Sequence, residues 1–177
     1  MVYVALLRGI NVGGNRKVEM QKLKAFFESL GCTNVSTYIN SGNVIFESFE
    51  PVKELLSKVP SGLEKTFGFE IPTLVKSAKE IAVITEAIPD NWENDKVQKT
   101  DIAYLFPEID SPKFIDELPV NQDFLEVKYV KGAFIWNVKR ENVHKSRLAK
   151  LIGHKLYKLM TIRNVNTAIY LAEKVSE

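Results

Sequence analysis

The sequence predicts an α+β protein of two halves, each with the element order β-α-β-β-α-β and an antiparallel sheet, closed by a C-terminal helix. Three observations predict it. Short β-branched runs alternate with segments whose apolar residues recur every three or four positions. Two pairs of such runs flank tight-turn sequences, Asn40-Ser41-Gly42-Asn43 and Lys131-Gly132. The pattern of residues 1–76 then returns, more loosely, over residues 101–177, with a helix and linker at 77–100 between them.

Val2 to Leu7 is apolar and rich in β-branched residues, so it reads as a strand. Arg8-Gly9-Ile10-Asn11-Val12-Gly13-Gly14-Asn15 breaks every period and reads as a loop. Met20, Leu23, Phe26, Phe27 and Leu30 make one helical stripe, with Gly31 as its C-cap. Val35 to Ile39 and Val44 to Phe46 are the arms of the first hairpin. Val52, Leu55, Leu56, Leu63 and Phe67 mark helical material that Pro60 and Gly62 are expected to break or kink. Ile71 to Val75 supplies the fourth strand.

This order is that of the split βαβ, or ferredoxin-like, fold. Its connectivity puts the exit loop of the first strand and the turn of the hairpin at the same end of the sheet. First and third strands are neighbours there, so Arg8 to Asn15 and Asn40 to Asn43 are expected side by side.

In the second half a helix is expected from Ser77 to Ala87, a strand from Ile102 to Phe106, and a short helix from Ser111 to Leu118 with Pro112 in its first turn. Phe124 to Val130 and Ala133 to Val138 alternate as a second hairpin. A helix is expected over Lys145 to Tyr157, with Leu148, Leu151, Ile152 and Leu156 on one side. Leu159 to Ile162 reads as a last strand, and Asn164 or Asn166 caps the C-terminal helix.

The 177 residues are 45% apolar and 26% charged, which excludes a disordered or collagen-like chain. The net charge of +2 is too small to argue by itself for a nucleic-acid or membrane partner. One cysteine, Cys32, excludes an internal disulfide framework, and one Cys with two His, ten positions apart, offers no zinc pattern. A reducing, cytoplasmic setting is expected, with no metal, no cofactor and no membrane partner. No apolar run approaches the ~18 residues that a membrane span needs.

The small total hides a polarity. Residues 86–126 hold eleven acids against three lysines, and residues 127–163 hold ten bases against one acid, Glu141. The basic segment reads either as a face for phosphate or an acidic partner, or as solvated surface.

The glycine loop after the first strand lies where phosphate loops occur, since converging backbone N–H groups bind anions. Its spacing matches neither GxGxxG nor GxxxxGK[ST], and its glycines equally serve turns of positive φ. Arg8, at the end of an apolar strand, either pairs with a carboxylate or binds an oxyanion in a bidentate manner. Asn40, Ser41 and Asn43 are turn residues that would also place amides and a hydroxyl beside Arg8 and Asn11. Ser41 is not in a GxSxG setting, and His144, His154 and Cys32 read as surface, capping and packing groups.

Leu6-Leu7-Arg8-Gly9-Ile10-Asn11-Val12-Gly13-Gly14, Thr37-Tyr38-Ile39-Asn40-Ser41-Gly42-Asn43-Val44 and Thr161-Ile162-Arg163-Asn164-Val165-Asn166-Thr167 together resemble the family known as domain of unknown function 1697. The family often carries Trp where this chain has Val165. The resemblance spans essentially the whole chain and implies a small bacterial-type cytoplasmic protein with two ferredoxin-like halves. It implies no activity. It adds Arg163 and Asn164 to the residues of interest, where the alternative reading is a helix cap and an internal ion pair.

The expected function is binding of an anionic ligand, phosphate-bearing and of the nucleotide or RNA class, in a cleft between motif loops. Arg8, Asn11, Gly13, Gly14, Asn40, Ser41, Asn43, Arg163 and Asn164 would line it, extended by Lys145, Arg147 and Lys150. Two alternatives stand beside it: a small enzyme of unidentified reaction, with Ser41 or an acidic residue as its catalytic group, and a protein-interaction or oligomerisation module.

Overall fold

In the computed structural model, which describes residues 1–176, the strand β1 (Val2–Leu7) is buried from Tyr3 to Leu7 on both faces. That burial suits an inner strand. It pairs antiparallel with β3 (Asn43–Glu47) and β4 (Thr73–Ser77), and β3 pairs with β2 (Thr33–Tyr38), giving the order β2-β3-β1-β4. The edge strand β2 is bulged between Thr33 and Ser36, where Asn34 has φ 49° and its amide reaches Glu47 at 2.8 Å.

α1 (Met20–Ser29) and α2 (Val52–Phe67) pack on one face of this sheet. Leu23 and Phe27 of α1, with Leu55, Val59 and Leu63 of α2, meet Tyr3, Ala5, Leu7, Val44 and Phe46 in one core. The Phe27 and Phe46 rings lie 4.9 Å apart. The expected break at Pro60 and Gly62 does not occur, and α2 runs through both. Pro60 deprives only the Leu56 carbonyl of a partner, and that turn faces solvent, with Leu56 38% exposed. At Gly62 a Cβ would lie 2.6 Å from the Phe26 ring, so the absent side chain is what lets the two helices approach.

α3 (Ala78–Glu86) starts with a reciprocal cap: the Ser77 N–H and hydroxyl donate to Glu80 Oε2 at 2.9 Å, and the Glu80 N–H donates to Ser77 Oγ. A second antiparallel sheet follows, from β5 (Gln98–Leu105), β6 (Glu126–Val130), β7 (Ala133–Lys139) and β8 (Met160–Asn164), in the order β6-β7-β5-β8. The expected Lys131-Gly132 turn joins β6 to β7 with Gly132 at φ 90°. Asp110 Oδ1 fastens it, accepting from the Gly132 N–H at 2.7 Å and the Tyr129 hydroxyl at 2.9 Å. α5 (Val165–Ser176) is the expected C-terminal helix.

The helix expected over Lys145 to Tyr157 is a correction. α4 (Val143–Ser146) is a single turn, and 3-10 turns follow at Leu148–Gly153 and Lys155–Leu159. Arg147, left-handed at φ 60°, ends α4, and His154 is extended, its Nδ1 accepting from the Leu156 N–H at 3.3 Å. Leu151 and Leu156 are buried, while Ile152, read as part of the same apolar side, is 71% exposed. Ser111 to Leu118 is likewise 3-10, over Pro112–Glu117.

The chain forms two units, Met1–Ile81 together with the residues from Leu171, and Ala82–Tyr170. Ala103, Leu105, Phe134, Trp136, Val138 and Met160 make the core of the second with Leu118, Leu125, Leu151 and Leu156. The other face of its sheet is also buried and mixes Ile102, Ala133 and Ile135 with the polar or charged Thr100, Tyr104, Asn137, Thr161 and Arg163. Among the described residues no helix is long and apolar enough to cross a membrane, and no group of three or more His, Cys, Asp or Glu is arranged to hold a metal ion.

Candidate functional site

The loop after β1 closes on itself because five of its residues adopt positive φ: Gly9, Asn11, Gly13, Gly14 and Arg16. The Asn11 N–H donates to the Arg16 carbonyl at 3.0 Å, and the Asn15 N–H to the Val12 carbonyl at 3.0 Å. Arg16 is anchored outside the loop, donating to the Glu70 carbonyl and lying 4.9 Å over the Phe69 ring. Gly13 and Gly14 are exposed, with backbone N–H groups that reach no protein acceptor among the described residues.

Asn11 is the hub of the cluster. Its Oδ1 accepts from the Val18 N–H at 2.8 Å, and its Nδ2 donates to the Val18 carbonyl at 3.0 Å and to the Asn40 carbonyl at 2.8 Å. The Leu7 N–H donates to the Gly42 carbonyl at 2.8 Å. A Cβ on Gly42 would lie 2.7 Å from both Leu7 Cβ and Ile10 Cδ1. The loop and the hairpin turn therefore sit side by side, as the connectivity predicts.

Within the turn, Asn43 is fully buried and its Nδ2 donates to the Tyr38 carbonyl at 2.9 Å and to Ser41 Oγ at 3.0 Å. That side chain shapes the turn. Arg8 is half-buried at the end of β1, and its N–H donates to the Pro72 carbonyl at 2.9 Å.

A cavity of about 420 Å³ opens between this cluster and the start of α1, lined by Asn11, Lys17, Glu19, Gln21 and Asn40. Glu19 holds the N-cap position without a side-chain capping bond, and the first turn of α1 carries no acidic residue. The first N–H groups of α1 are left for a ligand or water, and the helix adds partial positive charge there. Lys17 and Gln21 are residues that the sequence reading missed. Lys17 lies in the aperiodic stretch before α1 and Gln21 in its first turn, and the signal was the lack of a Ser, Thr, Asp or Asn at position 19 before the helical stripe.

Arg163 and Asn164 lie in the second unit, on β8 and pointing to opposite faces. Arg163 is 7% exposed, and its Nη1 donates to Thr161 Oγ1 and to the Ile162 carbonyl, both at 2.9 Å. Burial lowers its pKa to about 10, against the pull of Tyr104, so it remains charged at neutral pH. The Tyr104 phenol on the same face is pushed up by the same burial. Asn164 is a helix cap, its Oδ1 accepting from the Thr167 N–H at 3.0 Å. Lys145, Arg147 and Lys150 are exposed, as are six of the other seven bases of residues 127–163, with Arg163 alone buried.

A family profile described as "Protein of unknown function (DUF1697)" matches residues 1–136. This chain belongs to the DUF1697 family. The match includes the glycine loop and the Asn40 turn, while the segment Thr161 to Thr167 lies beyond it. No curated protein matches the DUF1697 chain. Among solved structures it is similar to the conserved bacterial protein SP0830 from Streptococcus pneumoniae, with 26% identity, a TM-score of 0.86 and 98% of each chain covered.

Proposed function

We propose that this DUF1697 protein is a cytoplasmic binding module, built of two ferredoxin-like units, for an anionic, phosphate-bearing ligand of the nucleotide or RNA class. The observation that carries the reading is the cavity at the uncapped start of α1, where Asn11, the hub of the glycine loop, meets Asn40 of the hairpin turn. The Lys17 ammonium and the amides of Gln21 and Asn40 supply donors at the cavity, and the exposed N–H groups of Gly13 and Gly14 lie in the same loop as Asn11. Such a donor set suits recognition of an oxyanion. Glu19 is the one opposing charge at the cavity.

The test is a thermal-shift and calorimetric titration with inorganic phosphate, AMP and a short RNA at low salt. A ligand present at ~100 times its dissociation constant stabilises the fold by about 2.7 kcal/mol, a readily measured shift. Lys17→Ala and Arg8→Ala are expected to weaken binding and Glu19→Gln to strengthen it. Binding unchanged in all three variants, or absent for every probe, overturns the reading.

A further inference from the structure

The second unit holds a cavity of about 550 Å³ that is separate in sequence from the motif loops, and its origin lies in the chain's failure to make a full helix after β7. The 3-10 turn Leu148–Gly153 and Tyr157 roof the sheet without closing onto it, so part of the sheet face stays open. We propose that this cavity binds a small organic carboxylate, its charge held by Arg140 beside the Lys99–Asp101 pair and its apolar body lying among Trp136, Ile152 and Tyr157.

Strand register gives the cavity a polar end and an apolar end. Trp136 and Asn164 flank Asp101 in one row across β7, β5 and β8. Lys99 stands two residues from Asp101 on the same face of β5, toward the end at which Arg140 leaves β7. In the other direction along β8, Ile162 continues the face toward the buried Leu151. A cavity of this volume, mostly apolar with a few polar groups at one end, has the anatomy of a small-molecule site.

The charges select the ligand. Lys99 Nζ is 3.1 Å from Asp101 Oδ2, so the one carboxylate of the lining is already matched. Arg140 is the cation without a carboxylate partner inside the lining, its nearest acid being Asp95 outside the lining, whose carboxyl the Gln98 and Val97 N–H groups and then Arg140 hold low. Its Nε donates to the Asp95 carbonyl, its Nη2 to Asn94 Oδ1 at 3.0 Å and its main-chain N–H to the Val97 carbonyl at 2.8 Å. Nη1 has no acceptor among the described residues. The Asp95 carboxylate in turn accepts from the Val97 and Gln98 N–H groups at 2.7 and 2.8 Å. The guanidinium is thus held in place before any ligand arrives, which lowers the ordering cost of binding. Net lining charge is positive by one, and a monoanion balances it. Ile152, 71% exposed, leaves apolar surface that the body of such a ligand covers.

Trp92→Phe leaves Trp136 as the single tryptophan of the full chain, so its fluorescence reports on this cavity. The probes are 3-phenylpropionate and its neutral amide. The carboxylate is expected to give a saturable change and to bind at least tenfold more tightly than the amide. Arg140→Gln should abolish that preference, and Ile152→Asp, at a position exposed enough to leave the fold intact, should weaken the carboxylate at least tenfold. Lys17→Ala, in the other candidate site, should change nothing. Equal affinity for acid and amide, a preference that survives Arg140→Gln, or no saturable change for either probe overturns the proposal.

Discussion

The two units repeat one strand order with different cover. On the first sheet lie two continuous α-helices of 10 and 16 residues, brought together at Gly62 against the Phe26 ring. On the second the corresponding cover is a one-turn helix and short 3-10 segments. Helical cover fills the sheet face, and the cavity described in this unit lies at the loop end, where the glycine loop and hairpin turn meet. Cover by 3-10 turns leaves space on the sheet face itself. One topology thus offers two kinds of cavity, and the difference lies in how completely the apolar stripe of a single segment can be laid down.

The sharpest way to break this comparison is to delete the same side chain from each cover. Leu23 of α1 is fully buried and Leu151 is 2% exposed. Leu23→Ala is expected to cost about 4 kcal/mol, and Leu151→Ala about 2 kcal/mol, because water already reaches the space beside Leu151. Equal costs in urea denaturation would dissolve the distinction between the two covers. Next in size is Gly42→Ala. Residue 42 has φ 81° and a Cβ there would strike Leu7 and Ile10, so a loss of about 3 kcal/mol is expected, read from the same denaturation midpoints.

Asn11→Ala removes three hydrogen bonds and parts the glycine loop from the hairpin turn. A loss of about 2 kcal/mol is expected, with faster amide exchange at Val18 as the local readout. In the second unit the sign reverses. The buried Tyr104 hydroxyl has no hydrogen-bond partner among the described residues, so Tyr104→Phe is expected to gain about 1 kcal/mol. Burial also keeps that phenol neutral in the fold beyond pH 10, where the unfolded chain ionises. Wild-type stability therefore falls progressively as pH rises above 10 toward the raised folded value, and the phenylalanine variant should lack this fall when stabilities at pH 8 and pH 10.5 are compared.

The smallest effect is at the α3 cap. Burial works to raise the Glu80 carboxyl, but the Ser77 N–H and hydroxyl and Lys76 together hold it below its ordinary value. Glu80→Gln should cost about 0.5 kcal/mol at neutral pH. The wild-type advantage is present above pH 4.5 and disappears as pH falls through the lowered value, so thermal melts of the two proteins should converge in acid.

What could be read from the sequence follows from period and connectivity. Both hairpins, the pairing of β1 with β3 and the meeting of the glycine loop with the Asn40 turn came from turn chemistry and connectivity. Pro60 and Gly62 suggested a break or kink because local propensity counts against them, but the helix is not broken, and at Gly62 the nearby Phe26 ring accounts for the missing side chain. Leu148, Leu151, Ile152 and Leu156 have helical spacing, but spacing does not show that Arg147 turns left-handed and sends Ile152 to solvent. The start of β5 was hidden for another reason. Gln98 to Asp101 are polar and look like linker, yet Asn137 donates to Gln98 Oε1 at 2.5 Å and to Thr100 Oγ1 at 2.8 Å, so side chains across the sheet give that strand its partners. At the candidate site, Asn11 and Asn40 were legible as motif residues, while Lys17 and Gln21 became visible only when the start of α1 was seen to lack a cap.

The bulge in β2 bears on how the folded chain meets other chains. An edge strand is a row of unpaired donors and acceptors, open to any extended segment of another molecule. In β2 the two-residue period is interrupted at Asn34, so an incoming strand that pairs beyond Ser36 falls out of step before it reaches Thr33. The first unit carries its own obstacle to sheet-to-sheet aggregation, built into the backbone rather than into surface charge.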